Sequence, residues 1–273
     1  MSSTPSSNHR PWRASPLLRA SAALHIAALI VTALRPHWWP WTASAVIANH
    51  LWLIATGLWP RSTGLGSNWV ALPAAAVARG EVAITIDDGP DPEVTGQVLS
   101  ILAQYGARAT FFVIAERAER HADCIRNCIA AGHAIENHSY AHGHNFSLLG
   151  PRGLRREIER AQDILTLIAG SRPRFFRAPA GLRNPFLDPV LQRLGLQLAS
   201  WTRRGFDTVT TDADAVLGRL TRNLKAGDIL LLHDGHAALT SSGTAVILEV
   251  LPRLLEAIKH QSLRAVTLGE AAR

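Results

Sequence analysis

The stretch "AITIDDGPDPEVT", residues 83–95, sets two adjacent carboxylates, Asp87 and Asp88, between an apolar run and a turn. Residues 82–86 are rich in β-branched side chains, which marks a buried strand. Gly89-Pro90-Asp91-Pro92 then forces the backbone to turn. Asp before Gly is also ordinary turn chemistry, so the pair gains its meaning from its surroundings. It stands at the C-terminal mouth of a strand, where α/β folds keep their chemistry.

From residue 81 onward, strand-like runs near 82–86, 109–114, 133–136, 174–177, 196–201, 228–232 and 264–267 alternate with helical stretches. The helices are expected near 93–104, 117–131, 152–168, 186–194, 212–224 and 243–259. Seven strands separated by helices predict an α/β domain over 81–273 with a mostly parallel sheet, closed or nearly closed. Cys124 and Cys128 lie four apart in one of these helices and match neither a zinc knuckle nor a redox pair.

The first 80 residues have a different character. They contain six arginines and no acid, and so carry +6 of the formal net charge of +7; seven of the eight tryptophans precede residue 70. The basic balance therefore belongs to the N-terminal region and does not signal a nucleic-acid-binding catalytic domain, and no nucleic-acid partner is expected. Residues 38–59 lack any charged side chain and are long enough to cross a bilayer, with tryptophans at both ends as an aromatic belt. Residues 17–34 form a shorter apolar run, either a first span or the core of a signal peptide. The preferred arrangement is a disordered basic terminus over 1–16, two membrane-spanning helices over 17–60, and a Gly/Ser/Pro/Ala-rich linker over 61–80. The distribution of arginines predicts a multi-pass inner-membrane protein with its catalytic domain in the cytoplasm.

Three further segments sit at strand ends. In "HAIENHSYAHGH", residues 133–144, His138 and His142 are four apart, so on a helical turn both imidazoles share one face. With one carboxylate of the aspartate pair they make a three-ligand site for Zn²⁺ or a similar ion. The other carboxylate is then free to move a proton. In "RFFRAPAGLRNP", residues 174–185, Arg177 is a candidate partner for Asp87, and the following turn could offer a backbone N–H to an oxyanion. In "DILLLHDGH", residues 228–236, His233 ends a buried strand and suits a general acid.

Taken in order, these segments resemble the NodB-homology polysaccharide deacetylases, carbohydrate esterase family 4. "TIDDGP" is similar to the family's Thr-Phe-Asp-Asp-Gly-Pro signature, "HSYAH" to His-Ser/Thr-x-x-His, "RAPAG" to Arg-x-Pro-x-Gly and "LLLH" to Leu-x-His. The resemblance implies a distorted (β/α)7 barrel, here preceded by a transmembrane helical hairpin. It implies Asp87 as base, Asp88, His138 and His142 as metal ligands, Arg177 orienting Asp87, the Ala180 amide as oxyanion donor and His233 as acid. The implied reaction is metal-assisted hydrolysis of an N-acyl group from an amino sugar, with Zn²⁺ foremost among Zn²⁺, Co²⁺, Fe²⁺ and Ni²⁺.

One motif departs from the family pattern. "WTRRGFDT", residues 201–208, keeps Trp201 and Asp207 but has Arg204 and Thr208 where many members carry an acid and a tryptophan. Asp207 is expected to hold His233. Arg203, Arg204 and Trp201 are candidate substrate contacts, the arginines suiting a phosphate. A polyprenyl-phosphate-linked amino sugar is the expected substrate and the lipid bilayer the expected partner. A periplasmic polysaccharide or peptidoglycan deacetylase, a deformylase of a lipid-linked formamido sugar, and a non-catalytic sugar-binding protein are the alternatives.

Overall fold

The computed structural model describes residues 12–273. Most of the expected disordered terminus, residues 1–11, lies outside the described residues. The strands are β1 (Glu81–Asp87), β2 (Ala109–Val113), β3 (Ala134–Asn137), β4 (Phe175–Phe176), β5 (Gln197–Leu198), β6 (Arg203–Arg204), β7 (Ile229–His233) and β8 (Arg264–Val266). They form one sheet in the order β5-β4-β3-β2-β1-β7-β6, with β8 paired to the start of β1. Every ladder is parallel, so all loops leaving strand C-termini gather on one face, the mouth. This is the expected NodB-type barrel, curled and left partly open.

The helices are α1 (Pro16–Leu34), α2 (Trp39–Leu58), α3 (Ala74–Ala78), α4 (Thr95–Gln104), α5 (Ala115–Arg120), α6 (Ala122–Ala130), α7 (Pro151–Ala169), α8 (Leu187–Leu194), α9 (Ala213–Thr221), α10 (Val246–His260) and α11 (Leu268–Ala271); α1 and α2 pack chiefly on each other, and α3 and α11 close one end of the interior. The helix expected over 117–131 is two, because His121 adopts φ −131°, ψ 48° between α5 and α6.

Two-residue alternation sorts β1 into two faces. Val82, Ile84 and Ile86 join the outer core beneath α4 and α10. Ala83 joins Phe112, Phe175, Ile229 and Leu231 in the barrel interior. Thr85 and Asp87 therefore point inward too, and the register pairs Asp87 with His233 on β7. Sheet geometry alone thus brings the first aspartate and the histidine of "LLLH" side by side.

Residues 61–80 are not a linker. Leu65, Leu72 and Ala76 are buried, and Trp69 forms a parallel bridge with Ala199. The Trp69 N–H donates to Leu198 O at 2.9 Å, and the Leu72 N–H donates to Gly227 O at 2.8 Å. The segment laces the end of β5 to the start of β7, filling a gap that short β5 and β6 leave. Its small, turn-forming composition hides this use, because its hydrogen-bond partners lie more than a hundred residues away.

α1 and α2 form an antiparallel hairpin. Thr32 and Thr42 hydroxyls meet at 2.7 Å, and Asn49 Nδ2 donates to Ser21 Oγ at 2.8 Å, so mid-helix polar groups satisfy one another across the pair. Among the described residues one helix, Pro16–Leu34, is long and apolar enough to cross a membrane. The expectation ranked residues 38–59 first; Pro40, Asn49, His50 and three tryptophans dilute the apolar character of α2. A single qualifying helix near the N-terminus suits an anchor or a signal sequence equally, and the multi-pass arrangement does not follow from it.

The hairpin is joined to the barrel at its mouth. Ser15 Oγ donates to Gly64 O at 2.7 Å, and Arg183 N donates to Gly57 O at 3.1 Å. A Cβ at Gly57 would come within 2.2 Å of Arg183 O, so only glycine lets α2 approach this loop. Gly57→Ala is expected to cost about 1–3 kcal/mol, the usual penalty of overpacking, read as a lower Tm in detergent. Gly96→Ala, with nothing within 4 Å of its Cβ position, is the control and should hold or raise Tm.

Candidate active site

Four strand ends and the loops after them build the mouth. Asp87 closes β1, and its Oδ1 accepts a 2.6 Å bond from Arg177 Nη1, leaving Oδ2 turned toward His138 Nε2 at 3.7 Å. Arg177, just past β4, is wholly buried and almost fully bonded. Its Nη1 also donates to Thr85 Oγ1 at 2.8 Å, its Nε to Ala199 O at 3.2 Å and its Nη2 to Ser200 O at 2.8 Å. The guanidinium lies 4.1 Å from the centre of the Phe112 ring.

Asp88, His138 and His142 come together, the two histidines on an irregular loop with positive φ at Ser139 and His142 rather than on the expected helical turn. Asp88 Oδ1 is 3.3 Å from His138 Nε2 and 3.2 Å from His142 Nε2. His138 Nδ1 meets Arg177 O at 2.8 Å, and a carbonyl can only accept, so Nδ1 carries the proton and Nε2 presents its lone pair. Burial and the neighbouring His138 push the His142 pKa down to about 4, which keeps its imidazole neutral at pH 7. Asp88 Oδ1 is buried without a hydrogen-bond partner. Three lone-pair donors thus converge on one point with no proton between them, a repulsive arrangement that a cation relieves. The three side chains fit a divalent metal, and the imidazole–carboxylate donor set suits Zn²⁺.

His233 ends β7. Its Nδ1 meets Asp207 Oδ1 at 2.8 Å, and its backbone N–H donates to Asp207 Oδ2 at 2.7 Å. Burial works against the charged imidazole, yet the hydrogen bond and charge of Asp207 prevail and raise its pKa above the ordinary value. With Nδ1 committed, Nε2 is the atom left for chemistry. Ala180 lies in the turn after Arg177 with φ 53°. Of the eight non-glycine residues with positive φ among the described residues, six belong to the mouth: Asp88, Ser139, His142, Ala180, Phe206 and His236. Such backbone costs about 1–3 kcal/mol per residue and collects at functional sites.

The structure separates the two arginines expected to act together. β6 pairs Arg203 with Leu230 and Arg204 with Leu231. Leu230 belongs to the outer core and Leu231 to the interior. Arg203 is spent outside, its Nε donating to Asp228 Oδ2 at 2.6 Å and its other nitrogens to the carbonyls of Arg222 and Asn223. Arg204 faces inward with Trp201, its guanidinium 5.4 Å from that ring and 5.0 Å from Phe206. Its Nε is buried without a partner. Trp201 is itself mostly buried, packed against the Gly181 turn.

Several supporting residues escaped the sequence reading. Buried Asp234 accepts from Thr95 Oγ1 at 2.6 Å, and a Cβ at Gly89 would strike it, so it holds the turn after Asp88. Glu136 accepts both the Arg174 and Phe175 N–H groups at 2.7 Å and fixes the start of β4. Thr85 could have been found from its place two residues before Asp87 on the same strand face.

These features have known counterparts. The family profile described as Polysaccharide deacetylase matches residues 74–199. A peptidoglycan-N-acetylglucosamine deacetylase of Bacillus cereus is 34% identical over 194 residues, spanning 70% of this chain and 88% of the relative. A family 4 carbohydrate esterase from Streptomyces lividans, solved in complex with acetate, is 31% identical, covers 68% of this chain and 91% of its own, and superposes with a TM-score of 0.62. A solved peptidoglycan N-acetylglucosamine deacetylase superposes with a TM-score of 0.68 at 26% identity, over 75% of this chain and 92% of that one. Fold and mouth together define a hydrolase of non-peptide carbon–nitrogen bonds on a NodB-type barrel. The chain belongs to the polysaccharide deacetylase family.

The Asp207–His233 pair makes a direct test possible. Replacing Asp207→Asn removes the charge that raises the His233 pKa and leaves burial, which lowers it. An NMR titration of the imidazole should therefore move to lower pH in the variant, with the other histidines unmoved.

Proposed function

We propose that this protein removes an N-acyl group, acetyl in the first instance, from an amino sugar carried at a membrane surface on a phosphate-linked lipid. The reaction rests on one observation: Asp87 and His233 are registered neighbours across β1 and β7, beside the Asp88–His138–His142 cluster. Asp87 is the base that takes a proton from the attacking water, through the Oδ2 that Arg177 leaves free. Arg177 fixes the orientation of that carboxylate through its bond to Oδ1. Asp88, His138 and His142 hold the divalent ion, which when bound supplies Lewis acidity toward water and the acyl carbonyl. The Ala180 N–H is assigned to the oxyanion that develops on that carbonyl. His233 delivers a proton from Nε2 to the leaving amine nitrogen, while Asp207 holds its tautomer. The products are the free amine and the carboxylate, and the water supplies the oxygen.

The lipid-phosphate part of the substrate is supported by Arg204, an inward-facing guanidinium with no anionic partner among the described residues. Arg203 no longer belongs to this proposal. The exposed apolar surface of the hairpin, with Trp39, Trp41 and Trp59 each more than 60% exposed, supports attachment to a bilayer. A cytoplasmic catalytic domain and a multi-pass anchor remain the finer form of this reading. A second reading is favoured by the single qualifying helix near the N-terminus and by the B. cereus relative: a signal-anchored enzyme acting on wall glycan outside the membrane.

Purified full-length protein loaded with Zn²⁺ should release acetate from an acetylated amino sugar on a polyprenyl phosphate. Asp87→Asn should lower kcat by about 10²–10⁴-fold while bound zinc, measured by mass spectrometry of the desalted protein, stays at the wild-type level. Loss of zinc instead would exchange the roles of the two aspartates. Arg204→Ala should raise KM for the phosphate-linked substrate about tenfold or more, the worth of one charge-assisted contact. KM for a neutral chitooligosaccharide should stay unchanged. Equal effects on both substrates would favour the wall-glycan reading.

A further inference from the structure

Past residue 60, the chain has seven large apolar side chains that are strongly exposed, and five of them stand on mouth loops. Leu148 follows β3, Phe186 follows β4, Phe206 and Val209 follow β6, and Leu239 follows β7, at 84%, 50%, 46%, 78% and 58% exposure. Because every strand is parallel, these four loops share one face. The remaining two, Val77 and Leu167, lie on α3 and α7. Scattered apolar residues need no explanation, but a collection on the face that holds the catalytic groups does.

The rim is continuous with the hairpin. Asn184 Nδ2 donates to Ser147 O at 2.9 Å and Leu149 O at 2.8 Å, while its Oδ1 accepts from the Phe186 N–H at 2.9 Å. Leu148 and Phe186 are thus tied to one asparagine, and its neighbour Arg183 is bonded to Gly57 at the end of α2. On the other side Arg61 Nη1 donates to Thr202 O at 2.9 Å, just before β6. The Ala238 N–H donates to Asp207 O at 2.8 Å, which brings Leu239 against the loop of Phe206 and Val209. Arg204 and Arg219 flank the Phe206 ring, their guanidinium carbons 5.0 and 5.7 Å from its centre. Aromatic and aliphatic side chains over arginines match a bilayer surface, acyl chains below and phosphate headgroups above.

We propose that the mouth of the barrel is pressed against the bilayer, with Leu148, Phe186, Phe206, Val209 and Leu239 entering the headgroup region. The occupant of this surface is lipid. The hairpin does more than tether the enzyme: by gripping the β4 loop at Gly57 it sets the tilt that lays the rim on the membrane. The sugar then enters the site from the bilayer plane, and a long soluble polymer meets a covered mouth. The proposal rests on the membrane-attached reading above and adds the orientation of the barrel to it.

Spin-label depth measurements on the full-length protein in lipid nanodiscs test it without any substrate. Single cysteines replace Leu148, Phe206, Val209 or Leu239, with Leu29→Cys in α1 and Leu167→Cys in α7 as references, in a Cys124→Ser, Cys128→Ala background. Rim labels are expected to be reached by oxygen at least threefold more readily, relative to a water-soluble nickel complex, than the Leu167 label. Rim labels that read like Leu167 while Leu29 reads as lipid-exposed overturn the proposal and leave the membrane-attached enzyme standing. A water-exposed Leu29 overturns both. The wild-type chain gives a second measurement free of substitutions. A phospholipid with a photoreactive headgroup should label peptides containing residues 147–149, 185–187, 205–210 and 237–240, and labelling confined to the hairpin would overturn the proposal.

Discussion

The buried ion pair between Arg177 and Asp87 is the constraint on which the rest of the mouth depends. A guanidinium without water is costly unless its donors are used, and four protein acceptors use them here. Those acceptors lie on β1 and on the chain just after β5. The carbonyl of the same arginine takes the Nδ1 proton of His138. One residue therefore sets the orientation of the proposed base, the tautomer of a proposed ligand and the closure of the barrel beside Ser200. Ser200 in turn donates its hydroxyl to Pro60 O at 2.7 Å, at the foot of the hairpin. A charge in the barrel interior is thus connected to the hairpin through a short chain of hydrogen bonds.

Much of this site was legible in the sequence because it is local. Asp87 and Asp88 are adjacent, His138 and His142 share five residues, and each motif follows a run that reads clearly as a strand. What was lost depended on contacts distant along the chain. Residues 61–80 looked like a linker because small residues carry no periodic signal, and their burial is decided by Leu198 and Gly227. Arg203 and Arg204 looked like a pair because a two-residue strand leaves no alternation to see; β6 sends one outward and one inward. Glu136 and Asp234 bond to backbone or to a hydroxyl, partners that no spacing rule reveals.

The hairpin carries a similar lesson. Tryptophan placement favoured residues 38–59 as the firmer span, while helix α1 has the more continuous apolar character. Of Asn49 and His50, which counted against the second helix, the first bonds to Ser21 across the pair, and the second stays exposed with its ring centre 5.1 Å from that of His25. Polar residues in the middle of an apolar helix are costly only when they face lipid alone.

The strand-like passage through Trp69 has a consequence for how such an enzyme can be inherited and processed. The residues that leave the hairpin are the residues that complete the barrel wall, so hairpin and catalyst share one stretch of backbone. A cut there would sever the barrel wall together with the hairpin. Recombination that exchanged the hairpin for another would have to carry residues 57–72 with it. The hairpin, in this chain, is built into the catalytic domain's own architecture.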